Sequence, residues 1–474
     1  MSRREFVRRA ARFAGGAALS LAMLDNAEPA AAGTPPPVTS TGIDSNNNFT
    51  LNGKPFLLIQ GETLDYASWG QAGYTTQQAD AKLAQAAAAG LNVVVGNWFG
   101  IDTPLWTNHG IYWHGYCLRD LGVGNDCRGA WHTPAALASS CAPQIVSKYA
   151  SKPNLIAWML DGELELDSSV TSDPQGVVNT YMQAESYIRS IDPAKRVNFT
   201  TLVAAGPWTL ACNPNANQVS MLEMVLSYQY PWIGLQKLWD VLNYFNQQVL
   251  SHPAGLGWVP SVSTTVVKEL LSYTHSGPIR SFNEANRFFW LQVAMNCRAF
   301  SVLWGANTRD PSLAPNSGDA GLPAGYLDSW NWTWQIVGNI KSLESVILGP
   351  GNWARVPTTP QFSPWAPGGG IHRPNLDYLF KGIYAAKKVG PDGHTYVVAI
   401  NMQENDTVGT ELPLRHASLH LDRPIRSATR LFDRTLTARK GPSAFVPMTV
   451  SGNRIIADFE PMEVHVYKLS EDEM

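Results

Sequence analysis

Four carboxylates crowd the segment Leu155–Asp167 (LIAWMLDGELELD): Asp161, Glu163, Glu165 and Asp167. They follow a short, purely apolar run, Leu155 to Leu160, of the kind that forms a strand buried on both faces in a parallel sheet. Acids just past the carboxyl end of such a strand lie where α/β barrels gather their reactive groups, and stability gives no reason to put them there. Two carboxylates facing one mouth can do acid–base work, one lending a proton while the other attacks or activates water. Glu163 is the expected acid, because Trp158 and Leu160 could wall it from water and raise its pKa. Asp161 would share its side if the strand continues that far, and could orient Glu163 or a substrate hydroxyl. Glu165 and Asp167 read as solvated loop acids. The bland alternative for Glu163 is a surface acid capping the next turn.

The elements needed to position these groups are legible as an alternation. Phe49 to Phe56 reads as a hairpin turned at Asn52-Gly53. Phe56 to Gln60 reads as a first strand leading to Gly61-Glu62, Gln77 to Ala89 as an Ala-rich helix stopped at Gly90, and Leu91 to Val95 as a second strand ending at Gly96-Asn97-Trp98. Gly110 to Trp113 is the expected third strand and Leu155 to Leu160 the fourth, with Asp173 and Pro174 opening its helix. Arg196 to Leu202, Met224 to Tyr230, Trp258 to Thr264 and Ala299 to Trp304 follow as strands five to eight. A last helix spans about Trp332 to Ile347, with Trp332, Ile336, Ile340, Leu343 and Ile347 along one face. Eight such units in residues 49–350 predict a (β/α)8 TIM barrel. A doubly wound sheet is the alternative, although no G-x-G-x-x-G turn follows the first strand. From residue 355 to 470 the pattern changes to short alternating strands, among them Tyr378 to Tyr384, Thr395 to Asn401, Ser418 to Leu421 and Val464 to Lys468, which predict a smaller all-β sandwich.

Taking acids at the carboxyl ends of barrel strands keeps Glu62 and Asp65, Asp102, the run from Asp161 to Asp167, Asp310 and Asp319. Trp98, Tyr228, Tyr230 and Trp304 close strands two, six and eight, where they could stack on or hydrogen-bond a sugar. Each could equally be core. The long segment 100–142 holds Trp106, Trp113, Trp131, His109, His114 and His132. It could wall one side of a cleft, its histidines being read as ordinary surface groups.

With 474 residues, 45% apolar and 15% charged, the chain is an ordinary folded protein large enough for two domains. A net charge of −3 argues against nucleic acid or an anionic membrane as partner. Ser2-Arg3-Arg4-Glu5-Phe6 resembles the twin-arginine export pattern, an apolar stretch from Phe13 to Leu24 follows, and Ala30-Ala31-Ala32 offers a cleavage site. Residues 1–32 therefore read as a signal peptide and 33–48 as a Pro/Thr/Ser-rich linker, with a periplasmic or secreted destination and no membrane contact after cleavage. Five cysteines are too few for a disulfide scaffold. Cys117, Cys127 and Cys141 could include a bridge, whereas Cys212 and Cys297 read as buried thiols. The spacing of cysteines and histidines suggests no metal site and no cofactor.

Several short motifs together resemble the (β/α)8 glycoside hydrolases of the large retaining clan. Pro153-Asn154-Leu155-Ile156-Ala157-Trp158, then Glu163, looks like that clan's fourth strand and its acid/base glutamate. Ile191-Asp192-Pro193-Ala194-Lys195-Arg196-Val197 is similar to the approach to strand five, and Tyr228-Gln229-Tyr230-Pro231 to the end of strand six. Phe49–Phe56 resembles the hairpin that often precedes such barrels, and Asp458–Leu469 the last strand of the β-domain that often follows them. The resemblance implies an exported glycosidase acting on a poly- or oligosaccharide. Two departures stand out. Gly162 occupies the place of an asparagine that binds the sugar 2-hydroxyl, so Asp161 or Asn97 would have to supply that contact. Trp258 to Val267 contains no acid, although the clan's nucleophile is a glutamate there. Glu269 would serve if strand seven ends later, and Glu284 if it reaches the mouth from its loop. Alternatively, Glu62 acts as base opposite Glu163. Ser281-x-x-Glu284 also has the spacing of a capping box, which would make Glu284 structural. The missing glutamate keeps a second function open, that of a non-catalytic carbohydrate-binding protein.

Overall fold

The computed structural model describes residues 33–46, 48–62, 75–96, 104–115, 142–159, 186–198, 220–221, 238–239, 242–243, 258–259, 261–267, 281–304, 326–365, 379–404, 411–432, 446–448 and 450–471. Strands β1 (Leu58–Glu62), β2 (Val93–Gly96), β3 (Tyr112–Gly115), β4 (Leu155–Met159) and β5 (Arg196–Asn198) pair in sequence, all parallel. Short β6 (Ser220–Met221) pairs in parallel with the start of β7, which comprises Trp258–Val259 and Ser261–Val267. β7 then pairs with β8 (Ala299–Trp304), and β8 with β1. Since β5 also lies beside β6, the neighbour order is cyclic and never reverses. A doubly wound sheet would need a switch point, so this order excludes it. The third strand begins two residues later than the sequence indicated. Met224–Tyr230, the span expected for the sixth strand, lies outside the described residues, as do Asp173 and Pro174.

Two apolar layers hold the ring. Leu58, Val93, Tyr112, Ile156 and Ala299 cluster with Val38, Phe49 and Leu51 of the N-terminal segment. That segment is a three-stranded meander, Thr41–Ile43, Phe49–Leu51 and Lys54–Pro55, turned at Asn52-Gly53 with both residues at positive φ. Residues 41–43, expected within a linker, are therefore paired strand. The segment bonds to the loops that open β4 and β5, Val38 N–H to Pro153 O (2.7 Å) and Thr41 N–H to Ala194 O (2.9 Å). The other layer joins Ile59, Val94, Trp113, Trp158 and Phe300 to helices α1 (Thr76–Ala89) and α5 (Tyr326–Ser342). Helix α1 starts in a reciprocal capping box, Thr75 with Gln78, and stops at Gly90. Gly90 has φ +121°, and an added Cβ would stand 3.1 Å from Lys341, so only glycine fits without a shift. The last helix is really two, α5 and α6 (Glu344–Leu348), broken at Leu343. The expected apolar face is buried at Ile336, Ile340, Leu343 and Ile347. Between these come short α2 (Pro104–Thr107) and α3 (Ala142–Tyr149), and α4 (Phe282–Ala294) before β8.

Of segment 100–142, residues 104–115 and 142 are described, and several of them are core; Trp131 and His132 lie outside the described residues. Trp106 on α2 and Trp113 on β3 are fully buried, with ring centroids 5.7 Å apart. His114 is also fully buried, which corrects its reading as a surface group, and His109 bonds Asp80 at 2.8 Å.

The C-terminal region has two main antiparallel sheets. One orders Ala354–Arg355, Ile383–Val389, Thr395–Asn401, Val464–Glu471, Ile425–Leu431 and Val446–Pro447, and the other Thr358–Thr359, Leu414–His420, Arg454–Phe459 and Val450–Ser451. Val356, Ile383, Ala385, Val397 and Tyr467 meet Ala417, Leu419, Ile455, Ala457 and Phe459 in a shared core. The opposite face of the larger sheet, through Tyr384, Val398, Ile400, Val464 and Val466, joins the barrel's own apolar cluster.

Glu463, at the turn leading into the last strand, accepts from Arg430 (2.6 Å) and from the Glu460 N–H (2.7 Å), and lies 3.2 Å from His465. Burial pushes its carboxyl up, but His465, Arg430 and the Glu460 N–H outweigh that and hold it at about 2, below the ordinary 4.5. A depressed carboxyl contributes stability that is complete above the unfolded value and lost as pH falls toward the folded one. Urea unfolding between pH 4.5 and 2 should therefore show a smaller acid-induced loss in Glu463→Gln than in wild type.

Candidate active site

The carboxyl ends of the parallel strands define the candidate mouth. β1 ends on Glu62, whose backbone stands in register between Val95 of β2 and Leu303 of β8. β8 ends on Trp304, paired with Val267. The last described residue of β4 is Met159, two residues before Asp161 in the chain. Asp161, Glu163, Asn97, Trp98, Tyr228, Tyr230 and Glu269 lie outside the described residues.

One layer below Glu62, the ring interior is polar. Gln60 and Ser301 are fully buried, like His114. An amide nitrogen can only donate, so Gln60 Nε2 donates to Ser301 Oγ (3.2 Å) and Gln60 Oε1 accepts from His114 Nδ1–H (3.2 Å). This chain of bonds ties three strands of the ring together through buried polar groups. Sequence reasoning passed over Gln60 and Ser301. The signal was available in strand alternation, since Gln60 precedes Glu62 by two.

Trp158 has a different task from the one expected of it. Its indole Nε1 donates to Asp192 Oδ2 (2.9 Å), which also accepts from Lys195 Nζ (3.0 Å). Trp158 thus joins the outer, helix-side layer and does not wall the mouth. The same bonds anchor strand four to the Asp192-Pro193 turn before strand five.

Glu284 lies in the first turn of α4, where Ser281 Oγ accepts from the Glu284 N–H at 3.1 Å. The side chain is only 2% exposed, which is the burial of a helix-layer group. Cys297 is a buried thiol, and burial pushes its pKa up. Among the described residues no group of three His, Cys, Asp or Glu is placed to hold a metal, and no helix is long and apolar enough to cross a membrane.

A cyclic parallel ring followed by antiparallel sheets is the layout of an α/β barrel with an appended β-domain. Solved structures share it along nearly the whole chain. A family 5 glycoside hydrolase from Bacteroides vulgatus superposes with a TM-score of 0.53 at 13% identity, over 91% of this chain and 94% of that one. A second structure, described simply as a glycoside hydrolase, gives 0.52 at 11% identity, over 94% and 98%. At these identities the likeness establishes the fold. No protein-family description and no curated protein matches the sequence.

Proposed function

We propose that the chain is an exported glycoside hydrolase that cleaves a poly- or oligosaccharide at the carboxyl-end mouth of a closed (β/α)8 barrel. One observation carries the reading: the parallel ring ends on an acid at Glu62, and an acid-rich run begins two residues after β4. The two strands stand three places apart around the ring, so acids following them would face each other across the mouth. The fold likeness to glycoside hydrolases supports the same chemistry. Glu163 would protonate the leaving oxygen, with Asp161 beside it.

Among the acids of described residues Glu62 is the better partner, and Glu269, two residues past the last described residue of β7, is the other candidate. β7 carries none between Trp258 and Val267, and Glu284, at 2% exposure in the helix layer, has little access to a substrate. Glu62→Gln should therefore lower kcat at least about a hundredfold, while Glu284→Gln stays within a few-fold of wild type. Equal losses in both would return Glu284 to the site. Twin-arginine export fits residues 1–32 and is tested by following the tagged precursor in a Tat-deficient host.

The deciding experiment is reducing-end release from a broad glycan panel, with the first anomer formed read by proton NMR. That anomer distinguishes direct attack by Glu62 from its activation of water. Sugar binding with no hydrolysis of any glycan would favour the binding-protein reading, for which the acid-free seventh strand speaks.

A further inference from the structure

Three parts of the chain meet around Arg298 and Lys388. Arg298 precedes β8 and reaches Asn48 of the N-terminal meander, the Ile347, Gly349 and Gly351 carbonyls at and after the end of α6, and Asn352. Lys388 lies on the strand Ile383–Val389 of the larger C-terminal sheet. Its neighbour Lys387 takes the outer face and pairs with Asp422, so strand alternation turns Lys388 toward the barrel. There it is 4% exposed, and its Nζ donates to the carbonyls of Ile347 (2.9 Å) and Gly349 (2.8 Å). Arg298 donates to the same two oxygens, at 2.7 and 3.3 Å.

Every acceptor of these two groups is neutral. An ammonium brings three protons and an amine two, and the Lys388 nitrogen has two acceptors among the described residues. A third proton would enter a buried site without a partner, beside a guanidinium. Of two cations crowded in this way the guanidinium does not give up its proton, so the lysine does. The surrounding charges do not reverse that balance. Asp44 in the meander acts on Arg298 and accepts from Asn46 and Asn48. Glu344, at the start of α6, is paired with Lys341 at 2.7 Å. Tyr396, cross-strand from Lys388, donates to Asp392, which Lys468 also engages. Arg355, on the strand paired at the other edge, lies over the Tyr384 ring and adds no negative charge. Burial and then the Arg298 charge accordingly hold the Lys388 pKa at about 7, below the ordinary 10.5.

We infer that Lys388 makes this junction a pH-sensitive latch. As a neutral amine it fastens the larger C-terminal sheet to the end of α6. Once protonated it sets two cations against one pair of carbonyls and loosens that hold. The latch is independent of whether the barrel is catalytic.

The sign follows from proton binding. A lysine whose folded value lies below its unfolded one binds fewer protons in the folded chain between the two values, so stability rises with pH through that window and is lowest beneath it. Urea midpoints of the full chain at pH 6, 7.5 and 9 test the inference. Wild type should gain stability from pH 6 to 9 relative to Lys388→Met, which has no proton to lose. Lys388→Arg, charged throughout, should show no such gain. Hydrogen exchange of wild type alone, read over residues 344–353, is free of any effect of the variants on folding. After correction for intrinsic rates, those amides should open at least about fivefold more often at pH 6 than at pH 9. Parallel pH profiles in wild type and either variant, or protection of 344–353 that does not change with pH, would overturn the latch.

Discussion

Glu163→Gln should abolish turnover, with kcat reduced by about a thousandfold or more, while oligosaccharide affinity changes little. The amide keeps the volume and hydrogen bonds of the acid but has no proton to give, and positioned proton transfer is worth roughly 100- to 10,000-fold. A loss confined to kcat identifies an interaction made in the transition state. Two substrates sharpen the test. A glycoside with a strongly acidic phenol as leaving group needs little protonation, so the variant should retain far more activity on it than on a natural glycan. The paired measurements are steady-state kinetics on both substrates and calorimetric binding of the uncleaved glycan. Equal losses on both substrates, or a collapse of binding, would show that Glu163 does not act as the proton donor.

Arg298→Met should be the most damaging change outside the mouth, at about 3 kcal/mol. The guanidinium sits almost fully buried between three parts of the chain. It donates to Asn48 Oδ1 (3.0 Å) in the N-terminal meander, to the Ile347 carbonyl (2.7 Å) at the end of α6, and to Gly351 O (2.7 Å) and Asn352 Oδ1 (3.2 Å) on the path to the β-domain. Methionine fills the volume and answers none of these acceptors. Lys388 still serves Ile347 and Gly349, but Asn48 is fully buried and loses its Arg298 donor. Chemical denaturation should show the lower midpoint. Removing the neighbouring cation should also raise the Lys388 pKa from about 7, a change that NMR would detect even where stability is hard to compare.

Much of the scaffold was readable from residue types because the signals there are local. Strands such as Val93–Gly96 and Leu155–Met159 are short, mostly apolar runs, and Ala299–Trp304 was placed to the residue because Arg298 before it and Gly305 after it bracket the run. Gly90 announced the end of α1 for a steric reason that the packing against Lys341 confirms. Contacts between distant parts of the sequence were not readable in this way. Nothing local told that residues 41–43 pair with the following hairpin, or that Trp158 turns outward to Asp192. His114 looked like one polar group in a polar segment. Its burial follows from Gln60 and Ser301, which come from other strands. Of the candidate site, Glu62 was expected just past a first strand ending at Gln60, and it is instead that strand's last residue. The acid-free seventh strand was equally plain, and the Ser281-x-x-Glu284 spacing foretold the Ser281 cap on the Glu284 N–H.

The helix Phe282–Ala294 has an implication for how the protein can be handled. Twelve of its thirteen residues are buried. Trp290 stacks on Phe432 at 5.9 Å, Asn283 donates to Pro461 O, and Arg287 reaches Glu411, all in the C-terminal part. A barrel helix normally shows water one flank, and here that flank is claimed by the neighbouring sheets. Trimming the chain near residue 350 would strip a greasy, arginine-bearing surface bare. The two halves should consequently express, melt and resist proteolysis as one body rather than as an enzyme with a detachable appendage.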